Sequence, residues 1–357
     1  MIKEIAAEFP MTKIWMDSMK LEDLEFGRKN SNVGVTTAPT VGPACLEAEY
    51  EMHIPAIKRL IREMPEASER KILWAWMYET VKERSKSWMD LYGDGTTDDG
   101  HFAIQMNVFD YRNAGKMMAQ ADIIGNLFPN NIVKIPATAA GLQVMEESVA
   151  KGYSVLSTMS TSVSQVIAAA EAQKRGLERR KAAGLDCSRI ALICAMQMTI
   201  PEMCIRNFAK QNGIALSEDA VKYASVAVSK KTYHLLKEKG LSSTLMLSNF
   251  SHHEQWLEFL GGDMILTMPG WFQRQIEESS CTPEDRIDRE IPAAITDELL
   301  EKIPFYRDLY EENAAAPEDF ENLVPFAHTA QFFMKKYDNG IRLVRNIMLP
   351  NTYADEA

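Results

Sequence analysis

The chain has no run of eighteen apolar residues, so no stretch of it is expected to span a membrane. Its opening residues, Met1-Ile2-Lys3-Glu4-Ile5-Ala6-Ala7-Glu8, mix charged with apolar side chains. They contain no apolar core of the kind a secretory signal requires. Cations are in the minority: 39 Lys and Arg stand against 50 Asp and Glu, for a net charge of −11. That balance argues against a nucleic-acid partner held through its phosphates. Cysteine is scarce and unpatterned. Cys45, Cys187, Cys194, Cys204 and Cys281 are odd in number and widely spaced, and no C-x-x-C occurs. A reduced, cytoplasmic compartment is expected. No linker, low-complexity tract or internal repeat breaks residues 1–357, which are expected to form one domain with a helical extension from about 270 to 357 packed on it.

What is present is an alternation. Eight short apolar runs read as strands: Lys13–Ser18, Val33–Pro39, His101–Val108, Asn131–Thr138, Tyr153–Met159, Arg189–Met196, Ser243–Asn249 and Met264–Pro269. Helical patterns separate them, two or three between Ala44 and Lys86 and others near Asn113, Ser162 and Pro201. Continuous apolar strands alternating with helices imply a parallel sheet covered on both faces. Eight such units imply a closed (β/α)8 TIM barrel, with further helices after residue 270. Residues Asp94–Gly100 read as a polar loop, and the charges from Lys174 to Lys181 as a solvated helix face.

The fourth run, Asn131-Ile132-Val133-Lys134-Ile135-Pro136-Ala137-Thr138, carries one lysine among apolar neighbours. Burial disfavours the charged ammonium and lowers its pKa, and a neutral amine can attack a ketone to form a Schiff base. The plainer alternative is a lysine whose stem covers apolar surface while its head reaches water. Barrel active sites lie at the C-terminal ends of the strands. That rule gathers Asp17, Ser18, Thr36, Thr37, Gln105, Asn107, Thr158 and Asn249 around Lys134. A Schiff-base site needs an amine, a proton carrier and a means of holding water.

These residues resemble the transaldolases and their relatives, the fructose 6-phosphate aldolases. The likeness runs from about Ile14 to Met268, with a weaker echo from Phe326 to Met348. Trp15-Met16-Asp17-Ser18 is similar to the family's first-strand aspartate motif, and Gly34-Val35-Thr36-Thr37-Ala38-Pro39 to its G-V-T-T-N-P. Val133 to Thr138 resembles the lysine motif, and Thr158 with Ala168 to Ala172 the threonine and the A-A-E-A run. The resemblance implies catalytic roles for Lys134 as the Schiff-base amine, Asp17 as general acid and base, and Thr158 and Gln105 as holders of the catalytic water. A glutamine at 105 orients water only through hydrogen bonds, which is the aldolase-like arrangement.

Departures from the pattern are equally specific. Ala38 and Leu156 stand where the family has asparagines. The phosphate-binding S-F-R becomes Asn249-Phe250-Ser251, and the strand-six arginine becomes Thr199. Substrate contacts are therefore expected from Thr36, Thr37, Asn107, Asn249, Ser251 and His252. His252, His253 and Arg206 are candidate replacements for the lost arginines; exposed helix-start residues are the alternative for the histidines. No cofactor is expected, and no metal, since the two neighbouring histidines point apart on a helix. The expected reaction is transfer of a three-carbon dihydroxyacetone unit from a ketose donor to an aldose acceptor, on a sugar whose far end is not held by the usual phosphate site. A sulfonated ketose is one such donor. An aldolase that releases free dihydroxyacetone, or a non-catalytic sugar-binding barrel, is the alternative. A homo-oligomer is also expected.

Overall fold

The structure, a computed structural model, describes residues 1–93 and 99–350. Residues 94–98 of the expected polar loop lie outside the described residues. Eight parallel strands close in sequence order into a barrel: β1 (Thr12–Asp17), β2 (Gly34–Thr36), β3 (His101–Gln105), β4 (Asn131–Pro136), β5 (Val155–Ser160), β6 (Leu192–Gln197), β7 (Thr244–Ser248) and β8 (Met264–Met268). The fold is the (β/α)8 barrel that the alternation implies. Every residue of β3, β4, β5, β6 and β8 is buried, as a sheet covered on both faces requires.

Strand alternation then sorts the interior into levels. Trp15, Ala103, Ile132, Leu156, Ile193, Ala195, Met246 and Ile265 form an apolar plug inside the barrel. Two residues further along each strand, on the same face, come Asp17, Gln105, Lys134, Thr158, Gln197, Ser248 and Thr267. The polar level therefore sits at the C-terminal mouth, directly above the plug. Gly34 is required within the plug: a Cβ there would lie 2.3 Å from the Trp15 ring.

Strand ends differ from the sequence expectation where side chains capture the backbone. β3 stops at Gln105 because the Asn107 side chain accepts from Phe109 N at 3.3 Å and starts a 3-10 turn, Val108–Asp110. β2 is only three residues long. Beyond it, Pro39 has no N–H to donate to a ladder.

The helix after β4, Ala139–Lys151, is capped by Thr138, whose hydroxyl accepts from Gly141 N at 3.0 Å. A Cβ at Gly141 would sit 1.9 Å from the Pro136 carbonyl oxygen, so this helix starts hard against the end of the lysine strand. Three helices, Val41–Ala48, Tyr50–Glu63 and Glu69–Ser85, occupy the β2–β3 crossover. The C-terminal helix Val324–Met348 packs against all three. Among the described residues no helix is long and apolar enough to cross a membrane.

Candidate active site

Lys134 is 6% exposed, at the mouth end of β4. Its Nζ donates to the Thr37 carbonyl at 2.9 Å. Burial lowers the Lys134 pKa, and the Asp17 charge pulls it part of the way back. Asp17 shows the complementary effect. Burial raises its pKa, while Lys134 and a hydrogen bond from Thr36 favour the ionised form. That bond runs from Thr36 Oγ1 to Asp17 Oδ1 at 2.8 Å. Desolvation acting on both partners moves the two pKa values toward each other, which lowers the cost of exchanging a proton between an amine and a carboxylate relative to water.

A cavity of about 350 Å³ opens over this pair. Its lining includes Asp17, Ala38, Lys134, Thr158, Gln197, Ser248, Asn249 and Phe250. Gln105 lies beside Lys134 in the β3–β4 register, and its Oε1 is buried without a hydrogen-bond partner. Thr37 stands behind the lysine, with its hydroxyl accepting from Gln105 N at 3.4 Å. Of the residues expected to be catalytic, Lys134, Asp17 and Thr158 line the cavity, while Gln105, with the expected contacts Thr36 and Thr37, is buried outside its lining. Ala38 lines the cavity and has no polar side chain to offer the lysine, whose hydrogen bond goes to the Thr37 carbonyl.

Other expected contacts lie elsewhere. Asn107 is committed to its turn: its Nδ2 donates to Asp110 Oδ2 at 2.6 Å, and it is not part of the cavity lining. Ser251 is exposed, and its N–H and hydroxyl donate to Gln255 Oε1 at 2.8 and 3.3 Å. His252 is clamped between Glu202, at 2.9 Å, and Glu254, at 3.0 Å. Arg206 is spent on Glu202 and Glu218. Neither side chain is therefore free to take the place of a phosphate-binding arginine. Thr199, read as the strand-six position, lies beyond β6: it opens the helix Thr199–Asn212, and its hydroxyl donates to the Asn249 carbonyl at 2.6 Å. The β6 residue that reaches the cavity is Gln197, and on β7 it is Ser248, with Asn249 after it.

Several lining residues were not singled out from sequence: Lys20, Gln197, Ser248, Trp271, Phe332 and Lys336. Gln197, Ser248 and the buried Thr267 were legible in principle, since each follows a plug residue by two positions. Lys20 and Lys336 carried no such signal, because only tertiary packing brings them to the mouth.

A second polar cluster is held by different chemistry. Cys45, Glu49 and His53 present ligand-type atoms within 4.8 Å of one another. The buried Arg84 guanidinium donates to Cys45 Sγ at 3.0 Å and Glu49 Oε2 at 2.5 Å, and lies 3.4 Å from His53 Nε2. A cation already occupies the centre of the group. Burial pushes the Cys45 thiol up to about 12, so it is held as a thiol.

The fold and the site together define a class: a (β/α)8 barrel with a desolvated lysine facing a carboxylate at its mouth. Residues 14–315 match the family described as Transaldolase/Fructose-6-phosphate aldolase, and the chain belongs to that family. It is similar to the transaldolase of Trichodesmium erythraeum (strain IMS101), 24% identical over 234 residues, which are 61% of this chain and 59% of that protein. It is also similar to the transaldolase of Acidothermus cellulolyticus (strain ATCC 43068 / DSM 8971 / 11B), 27% identical over 235 residues, 63% of this chain and 62% of that one. A third relative, the transaldolase of Mycolicibacterium smegmatis (strain ATCC 700084 / mc(2)155), is 27% identical over 187 residues, 50% and 49% of the two chains. The chain thus spans less than two thirds of the length of these relatives.

Proposed function

We propose that this protein transfers a three-carbon dihydroxyacetone unit between sugars through a Schiff base on Lys134. The carrying observation is the buried Lys134 beside Asp17, with burial lowering the pKa of one and raising that of the other. The neutral amine attacks the ketose carbonyl, and the carbinolamine loses water to give an iminium. Asp17 takes the proton of the C4 hydroxyl as the C3–C4 bond breaks. The bonding electrons move into the iminium, leaving an enamine and a free aldehyde. The enamine carbon then attacks an acceptor aldehyde, whose oxygen takes the proton back from Asp17. Water hydrolyses the new iminium and returns the amine. Gln105 and Thr158 hold that water, a role supported by the unpartnered Gln105 Oε1.

The donor's far end meets Gln197, Ser248 and Asn249 rather than an arginine fork; among the described residues lining the cavity there is no arginine. A sulfonated ketose fits this set, because a sulfonate carries one charge and asks for fewer cationic donors than a phosphate dianion. The test is borohydride reduction with phosphorylated, sulfonated and free ketoses, read by intact mass. Loss of the adduct in Lys134→Ala is expected; an adduct on a different lysine rejects the assignment. Gln105, as a non-ionising amide, favours a second reading in which free dihydroxyacetone is released. Turnover without any acceptor aldehyde would establish it.

A further inference from the structure

Four residues of the C-terminal helix, Thr329, Phe332, Phe333 and Lys336, lie on one helical stripe at i, i+3, i+4 and i+7. Phe332, Phe333 and Lys336 line the cavity. Thr329 donates its hydroxyl to Gln197 Oε1 at 2.8 Å. With its oxygen held, Gln197 has its amide N–H groups left for the cavity. The helix thus supplies one wall of the site and orients a second wall on β6. Residues 324–348 also fall outside the segment matched by the family, residues 14–315.

Lys20 lines the same cavity from the loop after β1. The carboxylates of the lining are already committed. Asp17 accepts from Thr36 at 2.8 Å. Asp23 accepts from Ser18 at 2.8 Å and from Arg274 at 2.7 Å. Lys20 and Lys336 have no ion-pair partner among the described residues, although acids outnumber bases 50 to 39 in the chain. Lys336 instead sits 5.7 Å from the centre of the Phe332 ring. Phe332 and Trp271, 40% and 55% exposed, both line the cavity. Two unneutralised ammonium groups at the rim of a low-dielectric cavity concentrate anions there.

We propose that Lys20 and Lys336 clamp a tetrahedral oxyanion, phosphate or sulfonate, at the end of the substrate remote from its carbonyl, with the Gln197 and Asn249 amides as neutral donors. The C-terminal helix is therefore part of the binding site and sets a preference for charged over uncharged sugars. This assignment deepens the transferase reading, since it places the charged end of the same substrate.

The test uses ligands that cannot form a Schiff base. Glucitol 6-phosphate, its 6-deoxy-6-sulfo counterpart and unmodified glucitol are titrated calorimetrically against the full chain, Lys20→Gln, Lys336→Gln and Lys336→Glu. Each Lys→Gln change is expected to weaken the charged polyols by roughly tenfold or more, the size of one charge-assisted hydrogen bond. Lys336→Glu weakens them further, and unmodified glucitol responds by less than about twofold, because it has no charge to lose. The two charged polyols, compared with each other, show which oxyanion the rim favours. Equal weakening of charged and uncharged polyols overturns the clamp, as does wild-type affinity for the charged polyols in both Lys→Gln variants. Failure of borohydride trapping at Lys134 overturns the Schiff-base reading alone, because these titrations do not depend on it.

Discussion

The Thr267 hydroxyl on β8 lies 2.6 Å from the Thr36 hydroxyl on β2. Thr36 has one proton, and it is spent on Asp17 Oδ1 at 2.8 Å. Thr267 must then be the donor to Thr36, which makes a directed chain, Thr267 to Thr36, ending on the Asp17 carboxyl. If Asp17 is protonated and donates, the chain reverses and leaves the buried Thr267 proton without an acceptor among the described residues. The pair therefore favours the charged state of Asp17 against its burial.

Thr267→Val removes the donor and is expected to raise the Asp17 pKa and lower kcat. A lost hydrogen bond in a chain to a charged group is worth about 1.5–3 kcal/mol, or roughly tenfold to a hundredfold. The readout is the pH profile of kcat/KM, whose limb from Asp17 moves upward. Thr267→Ser should restore it. An unmoved profile in Thr267→Val shows that the relay does not reach Asp17.

Lys134 should be the only residue reduced onto a ketose by borohydride. Lys134→Arg is expected to be as inactive as Lys134→Ala, since a guanidinium stays protonated and does not attack a carbonyl. Peptide mapping of the reduced adduct checks this directly.

Asp17→Asn should still bind ketose but lose about 10²–10⁴-fold in turnover, the usual share of a general acid and base. The substitution also removes the charge that lifts the Lys134 pKa. With that lift gone, the amine becomes neutral at lower pH. Schiff-base formation in Asp17→Asn, followed as the rate of cyanoborohydride trapping, should therefore reach its plateau at lower pH than in wild type. A shift to higher pH would contradict the sign of the coupling.

His252→Ala should leave kcat/KM for every ketose within about threefold, under 1 kcal/mol. The side chain is held by Glu202 and Glu254 and is absent from the cavity lining. The effect belongs to stability, where Glu202 and Glu254 lose a shared partner. A selective loss of activity on phosphorylated sugars would return His252 to the site.

Gly34→Ala should destabilise the barrel. The added Cβ meets the Trp15 ring at 2.3 Å, and overpacking a filled core costs about 1–3 kcal/mol. The urea midpoint should fall without a change in slope.

The legible part of this protein is the part governed by alternation. Apolar runs bounded by turn residues located all eight strands, and Lys134, Asp17, Gln105 and Thr158 stood out as polar residues near the ends of those runs. Boundaries were less legible. Asn107 reads as the continuation of a strand, but its side chain captures the backbone and ends it. Ser251 and His252 follow β7 in sequence by only a few residues, yet Asn249 takes a positive φ of 62° and turns the chain away from the mouth. Lys336 lies 202 positions beyond Lys134 in the chain, and no local pattern reports a contact of that kind. The side chains that close the site come from packing of a distant helix, which periodicity does not encode.

The plug beneath the catalytic level has a kinetic consequence. Trp15, Ile132, Leu156, Met246 and their neighbours fill the barrel beneath that level, and the cavity lies at the C-terminal mouth above them. On the proposed transfer, the aldehyde cut from the donor and the aldehyde that replaces it would pass through that mouth in turn while the three-carbon fragment stays on Lys134, and donor and acceptor would not share the chamber. Initial velocities at several fixed acceptor concentrations should give parallel double-reciprocal lines, and excess acceptor should inhibit by taking the donor's place on the free enzyme.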